Sequence, residues 1–167
     1  MIHRTRLIVL NTTKIGERSL VLHALSPDWG RRSFITSVPK GGRMALFQPL
    51  NILDAEVTEN PRSDLWRVHG LSAVHALAGI RTSPAKNAMT LFMSEVLWRT
   101  IRDGAREDGL FEWCERAVLT LDALEGDYAN YHPFRDDWGC SSVGRAPALQ
   151  AGGQGFESPR LHSLTER

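Results

Sequence analysis

Short runs rich in Ile, Val and Leu, separated by turn residues, occur within the first 73 residues, and the later runs alternate apolar and polar positions with the period of two that is typical of β-strands. In the clearest case, Leu53, Ala55 and Val57 share one face, and polar residues stand between them. The pattern predicts strands over residues 3–11, 17–26, 31–38, 51–58 and 64–70. Five short strands in about 70 residues favour a small closed barrel, since closure leaves no exposed sheet edge.

The period changes to that of a helix after Ala73. Ser83 can cap a helix and Pro84 fits its first turn. The apolar stripe that follows comprises Met89, Phe92, Met93, Val96, Leu97 and Ile101. A second stripe comprises Leu110, Trp113, Cys114, Ala117, Val118, Leu121 and Leu124. The sequence therefore predicts two helices within residues 84–125.

Residues 136–167, here called the tail, show no sustained period and contain five glycines and two prolines. Such a segment cannot bury enough surface to offset the cost of ordering its backbone, so we expect it to be disordered. The resulting fold class is α+β. We predict a five-stranded barrel of the oligonucleotide-binding (OB) class over residues 1–78, a partial helical domain over 79–135 and a disordered tail over 136–167.

The net charge of +1 conceals an asymmetry along the chain. Residues 1–43 carry eight Lys or Arg against two acidic residues, whereas residues 44–167 carry twelve against seventeen. The first segment therefore has a charge of +6 and the second of −5. A basic barrel indicates a polyanionic partner, although a solvated basic surface would show the same composition.

Barrels of the OB class hold single strands between cationic side chains and aromatic rings that stack on bases. Trp29 lies in a turn where no core role is evident, which makes it the preferred stacking residue. Phe34 and Trp66 could also stack, but a place in the core explains them better. The predicted DNA contacts are Arg4, Arg6, Trp29, Arg31, Arg32, Lys40 and Arg43. Phosphate contacts of this kind set affinity but not sequence preference.

No catalytic or metal-binding pattern stands out. The chain lacks a phosphate-binding loop, a G-x-S-x-G turn, an HExxH motif and a CxxC pair. Asp54 and Glu56 could form a carboxylate pair, but an exposed strand face accounts for both. We therefore expect no enzyme, no cofactor and no metal. No apolar run approaches the roughly 18–20 residues that span a membrane, which predicts a cytoplasmic protein.

An ordered series of segments resembles a known family. The series consists of Arg6 to Leu10, Gly16-Glu17, Trp29-Gly30-Arg31, residues 40–43, Phe47-Gln48-Pro49-Leu50, Ser83 to Ala88, Phe92 to Leu97, Leu110-Phe111, Leu121 and Ala129 to His132. It is similar to the N-terminal barrel and the first helices of the RecO family over residues 1–135. The resemblance implies a role in recombinational DNA repair. It also implies binding of single- and double-stranded DNA, strand annealing, and recombinase loading with a RecR partner and single-stranded-DNA-binding protein.

Two departures from the family pattern accompany this resemblance. Many family members carry a cysteine zinc site in the helical domain, and this chain has no such site. The family continues with further helices after His132, whereas residues 139–147 and 155–162 resemble the peptide encoded when a transfer-RNA gene is translated. We therefore expect a truncated chain. Its helices would lack partners for their apolar stripes, and its site for single-stranded-DNA-binding protein would be incomplete.

The sequence leaves two other interpretations open. The barrel could be a general nucleic-acid-binding module of another pathway, or the chain could be a fragment without function. Strand annealing distinguishes the first from a RecO-like role. Limited proteolysis tests the second, because a stable core that ends near residue 80 would indicate unpacked helices.

Overall fold

The computed structural model describes residues 1–37, 42–125 and 131. Five strands form a closed barrel, as the sequence predicts. They are β1 (Ile2–Ile15), β2 (Ser19–Ser26), β3 (Gly30–Ser37), β4 (Ile52–Thr58) and β5 (Leu65–Ala73). A 3-10 helix (Gly42–Phe47) precedes β4, and three helices follow the barrel: α1 (Ala78–Thr82), α2 (Pro84–Thr100) and α3 (Leu110–Ala123).

The strand order around the barrel is β1-β2-β3-β5-β4, and β4 pairs with β1 to close it. All neighbours are antiparallel except β3 and β5, which run parallel from Ser33 opposite Leu65 to Ile35 opposite Arg67. Strand β1 is long enough to serve two partners: residues 2–8 pair with β4 and residues 8–15 pair with β2. A register shift between Val9 and Asn11 lets this strand bend around the barrel.

The barrel interior is filled by the inward residues of all five strands. On β1, Leu7 and Val9 point inward, whereas Ile8 and Leu10 point outward, as the strand period requires. Phe34 is fully buried in this interior and Trp66 lies at its edge, so the prediction that both are core residues is confirmed. The interior cluster consists of Leu7, Val9, Leu20, Leu22, Ala24, Phe34, Phe47, Leu53, Ala55, Val57, Trp66 and Val68.

A second core lies between the outside of the barrel and the three helices, here called the helical layer. The barrel contributes Ile8, Leu10, Leu25 and Ile52 to it. The expectation that the helices lack partners is therefore wrong for both: Met93 and Leu97 of α2 and the apolar stripe of α3 are buried in this core. Leu91 and Phe92 on α2 remain 52% and 65% exposed, so Phe92 does not belong to the buried stripe.

The helices are tied together by hydrogen bonds at their ends. Ser83 Oγ accepts from the Lys86 N–H at 3.4 Å, which confirms the predicted cap of α2. The buried Lys86 Nζ donates to the Asp122 carbonyl at 3.0 Å and to the Leu124 carbonyl at the end of α3. The Asp122 carboxylate accepts from the Ile80 N–H at 2.8 Å. These bonds fix α1, which the sequence pattern does not predict, between the two longer helices.

Cys114 lies on the buried stripe of α3, as predicted, and burial raises the pKa of its thiol. Within the described residues, no helix has both the length and the hydropathy to cross a membrane. The barrel ends at Ala73 and α1 begins at Ala78, but the second core is continuous across this point. Cys140 and the whole tail lie outside the described residues, so the predicted disorder of the tail stays a prediction.

Candidate nucleic-acid interface

A groove of about 290 Å³ opens where β3 and β5 separate beyond the pair of Ile35 and Arg67. We call it the β3–β5 groove. Arg67 and His69 are both exposed on β5, and Ser37 is exposed at the end of β3. The described residues that line the groove include no carboxylate; they are Ser19, Ile35, Thr36, Ser37, Leu46, Phe47, Arg67, Val68, His69, Gly70 and Leu71. The combination of cation, hydroxyl and apolar groups suits a phosphodiester with its base.

Strand β5 is irregular beside this opening. Gly70 has a φ of +63°, and the register between β4 and β5 shifts between Asp54 and Glu56. Glu56 is the carboxylate directly opposite His69, but it accepts a bond from Arg4 Nε at 3.0 Å. The groove therefore keeps a basic character, although an acidic residue stands on the next strand.

Trp29 and Arg32 lie at the opposite end of the barrel from the groove. Trp29 is half-buried and packs edge-on against Trp66, with ring centroids 5.2 Å apart. Arg32 places its guanidinium 3.7 Å from the Trp66 centroid, and His3 touches Trp29 at 5.8 Å. This cluster presents a cation beside aromatic rings, but Trp29 uses part of its surface for packing within the protein.

Arg4 and Arg6 lie on the outside of β1, where each stands directly opposite a carboxylate of β4. Arg4 pairs with Glu56, and Arg6 faces Asp54 in the strand register. Arg6 also forms an ion pair with Glu115 of α3 and lies 5.4 Å from the Phe111 ring. The positive charge that the sequence predicts at these two positions is thus largely balanced by the fold.

Arg31 joins the barrel to the helical layer. Its side chain is 17% exposed, and its guanidinium lies 4.2 Å from the Trp98 ring centroid. The Nη1 atom donates to the Trp98 carbonyl at 2.6 Å, and Nε lies 3.8 Å from the Asp103 carboxylate. Backbone bonds connect Arg31 with Gly104 and Ala105. Arg31 therefore holds the loop between α2 and α3 on β3, a role that the sequence does not predict.

His23 lies beside this contact, on the outer face of β2. Its ring centroid is 4.3 Å from that of Trp98, and its nitrogens lie 2.8 Å from Ser33 Oγ and 3.2 Å from Thr13 Oγ1. Burial lowers the pKa of His23 below the ordinary value of 6.5. The positive charge of Arg31 lowers this pKa further, whereas the negative charge of Asp103 opposes the shift.

This lowered pKa predicts a loss of stability in acid. Because the folded protein keeps His23 neutral, the unfolded chain binds more protons once the pH falls below 6.5. The free energy of unfolding should therefore decrease as the pH falls from 6.5 toward the lower folded pKa. Urea unfolding across this range should show a shallower decrease for His23→Gln, which keeps polar contacts but does not titrate. An equal decrease in both proteins would assign the acid sensitivity to other groups.

The remaining two predicted contacts cannot be placed, since Lys40 and the Arg43 side chain lie outside the described residues. The five predicted contact residues that can be placed occupy three different parts of the barrel. These are the outside of β1, the end of the barrel beside Trp66, and the contact with the helical layer. Arg67 and His69 are missing from the sequence prediction. Their alternation with the inward Trp66 and Val68 was visible in the sequence, but only the fold shows that a groove opens beside them.

Nothing in the described part of the chain gathers three His, Cys, Asp or Glu residues in a position to hold a metal ion. The described residues therefore offer no ligand set of that kind. On the barrel surface, the exposed Ser37, Arg67 and His69 line the β3–β5 groove.

Comparison with known proteins matches the barrel to one family. Residues 1–77 match the family described as Recombination protein O N terminal, and this range ends four residues after β5. A DNA repair protein RecO from Bacteroides fragilis is 31% identical over 136 residues, which cover 79% of this chain and 56% of that protein. The chain spans just over half the length of the curated relatives it matches first.

Two further relatives carry the same name. One from Phocaeicola vulgatus is 29% identical over 136 residues, with 79% of this chain and 56% of that protein covered. One from Porphyromonas gingivalis is 26% identical over 161 residues, which cover 92% of this chain and 65% of that protein. This last alignment cannot fit within residues 1–135, so the unrelated origin of the tail stays a prediction. From the matched barrel and these relatives, we conclude that the chain belongs to the RecO family.

Proposed function

We propose that this chain acts as a non-enzymatic DNA-binding protein of recombinational repair. In this role it anneals complementary strands and helps to load the recombinase together with RecR. The observation that carries the proposal is the agreement between the closed barrel and the family match over residues 1–77. The relatives are named as DNA repair proteins, which supports the same role here. Work on chromosomal DNA would place the protein in the bacterial cytoplasm.

The proposed ligands of the protein are single- and double-stranded DNA. Arg32 and Trp29 are its described contacts at one end of the barrel, and Lys40 and Arg43 are added from the sequence. Arg4 contributes less because Glu56 neutralises it. Arg6 and Arg31 are assigned to contacts with the helical layer instead. A site for single-stranded-DNA-binding protein is proposed as incomplete.

The test combines DNA binding with strand annealing. Wild-type protein should bind a fluorescent single strand, accelerate annealing of complementary strands, and lose affinity steeply between low and physiological salt. Arg32→Glu should weaken binding by about tenfold and reduce the slope of log K against log salt by about 0.7. Arg116→Glu is the matched control, since Arg116 is an exposed arginine of α3, away from the barrel surface in question.

The possible results distinguish a repair protein, a general nucleic-acid-binding module and a fragment without function. Binding without any acceleration of annealing would contradict the repair role and favour a general nucleic-acid-binding module. No binding at either salt concentration would contradict both and favour a fragment without function. Equal losses in Arg32→Glu and Arg116→Glu would contradict the contact assigned to Arg32.

A further inference from the structure

Barrels of the OB class commonly bind oligonucleotides on the outer face of strands 2 and 3, and in this protein the helical layer covers part of that face. Leu25 of β2 is buried in the second core. His23 lies under the Trp98 ring at 4.3 Å, and Arg31 of β3 donates to the Trp98 carbonyl. A single strand could reach these residues only if α2 left the barrel, which would break all of these contacts.

The next face around the barrel stays open. Between the end of β3 and β5, the exposed Ser37 and Arg67 border the β3–β5 groove, and His69 lies two residues further along β5. Ile35 and Leu71 supply apolar surface in the same groove. A phosphate could contact the guanidinium and the hydroxyl groups while its base lies against the aliphatic side chains.

The position of β3 relates this groove to the rest of the predicted interface. Arg32 lies near the start of the strand and Ser37 at its end. Arg18 in the turn between β1 and β2 immediately precedes the groove residue Ser19. Basic residues thus occur near the start of β3 and beside the groove.

We infer that single-stranded DNA lies in the β3–β5 groove, with a phosphate at Arg67 and a base on the Ile35 side of the groove, rather than on the outer face of β2 and β3. This inference rests on the proposed DNA-binding function and specifies the surface that performs it. Glu56 does not oppose it, because that carboxylate is paired with Arg4. Trp98 and Arg31 act as positioning residues that keep the β2–β3 face closed.

Strand β3 offers a matched pair of substitutions for the test. Ser33 and Ser37 lie on the same outer face because they are four residues apart, but Ser33 contacts His23 on the covered side and Ser37 lines the groove. Their separation of about 13 Å exceeds the Debye length of about 8 Å at physiological salt. A new carboxylate at one position therefore acts mainly on its own surroundings.

The measurement is the anisotropy of a fluorescein-labelled oligothymidine at physiological salt, with circular dichroism to verify that each variant is folded. Ser37→Asp should weaken binding by about tenfold, whereas Ser33→Asp should stay within about twofold of the wild type. Arg67→Glu, at an exposed position that folding tolerates, should weaken binding at least as much as Ser37→Asp.

Three contrary results have different meanings. If Ser33→Asp weakens binding and the two groove variants do not, the strand uses the β2–β3 face and the inference is overturned, while the proposed function stands. If the wild-type protein binds no oligothymidine at any salt concentration, the proposed function itself fails, and the inference fails with it. Equal binding by all variants also overturns the inference alone.

Discussion

Gly30→Ala should destabilise the protein by about 3–5 kcal/mol and detach the loop between α2 and α3 from the barrel. Gly30 has a φ of +64°, and a Cβ atom there would lie 1.9 Å from the carbonyl oxygen of Ala105. Because that oxygen belongs to the backbone, it cannot move aside like a flexible side chain. The hydrogen bonds that join Arg31 with Gly104 and Ala105 would be lost with the loop. Urea unfolding measures the change.

Gly16→Ala is the control that separates this steric conflict from backbone strain. Gly16 has nearly the same φ, +65°, but no atom lies within 4 Å of the position that its Cβ would take. We expect a loss of only about 1–2 kcal/mol, which is the cost of the left-handed conformation. If the two variants unfold at the same urea concentration, the close contact between Gly30 and the Ala105 carbonyl does not limit the residue at this position.

Lys86→Met should lower the free energy of unfolding by about 2–4 kcal/mol. The side chain of Lys86 is almost fully buried, and its amine donates to two carbonyls at the C-terminal end of α3, where the partial negative charge of the helix lies. Methionine has a similar length but no donor, so the carbonyls of Asp122 and Leu124 would lose this partner. Thermal unfolding followed at the helical circular dichroism signal provides the measurement.

Lys14→Met makes the same chemical change at an exposed position of β1. Its effect should stay within about 0.5 kcal/mol, since no buried group depends on this amine. A stability of Lys86→Met equal to that of the wild type would show that the gain from burying an apolar side chain offsets the lost hydrogen bonds.

The barrel was predictable because its signal is local. Alternation along β4 assigns Leu53, Ala55 and Val57 to one face, and Pro27 and Gly30 mark the turn before β3. The order in which the strands meet was not derivable from this pattern, because pairing joins residues that are distant along the chain. The number of strands and their basic charge predicted a barrel of the OB class, but the parallel pairing of β3 with β5 was not predicted.

The candidate site was harder to predict because alternation shows only that a residue points out of the barrel. Arg6 and Arg31 do point outward, but the helical layer covers that part of the surface. Arg6 forms an ion pair with this layer, and Arg31 donates a hydrogen bond to it. Phe92 has the spacing of a buried residue, yet the contact surface of α2 is narrower than its apolar stripe. Helix α1 has five residues, which is too short for a helical period to be recognised.

The second core joins the two ends of the described chain. Ile8 and Leu10 pack in the same cluster as Leu110, Val118 and Leu121, at a separation of roughly 100 residues along the chain. During synthesis, the strands leave the ribosome well before α3. The apolar outer surface of the barrel is therefore exposed to solvent until α3 packs on it. Contacts of such high sequence separation slow folding, and the interval before α3 emerges is when a chaperone would be needed most.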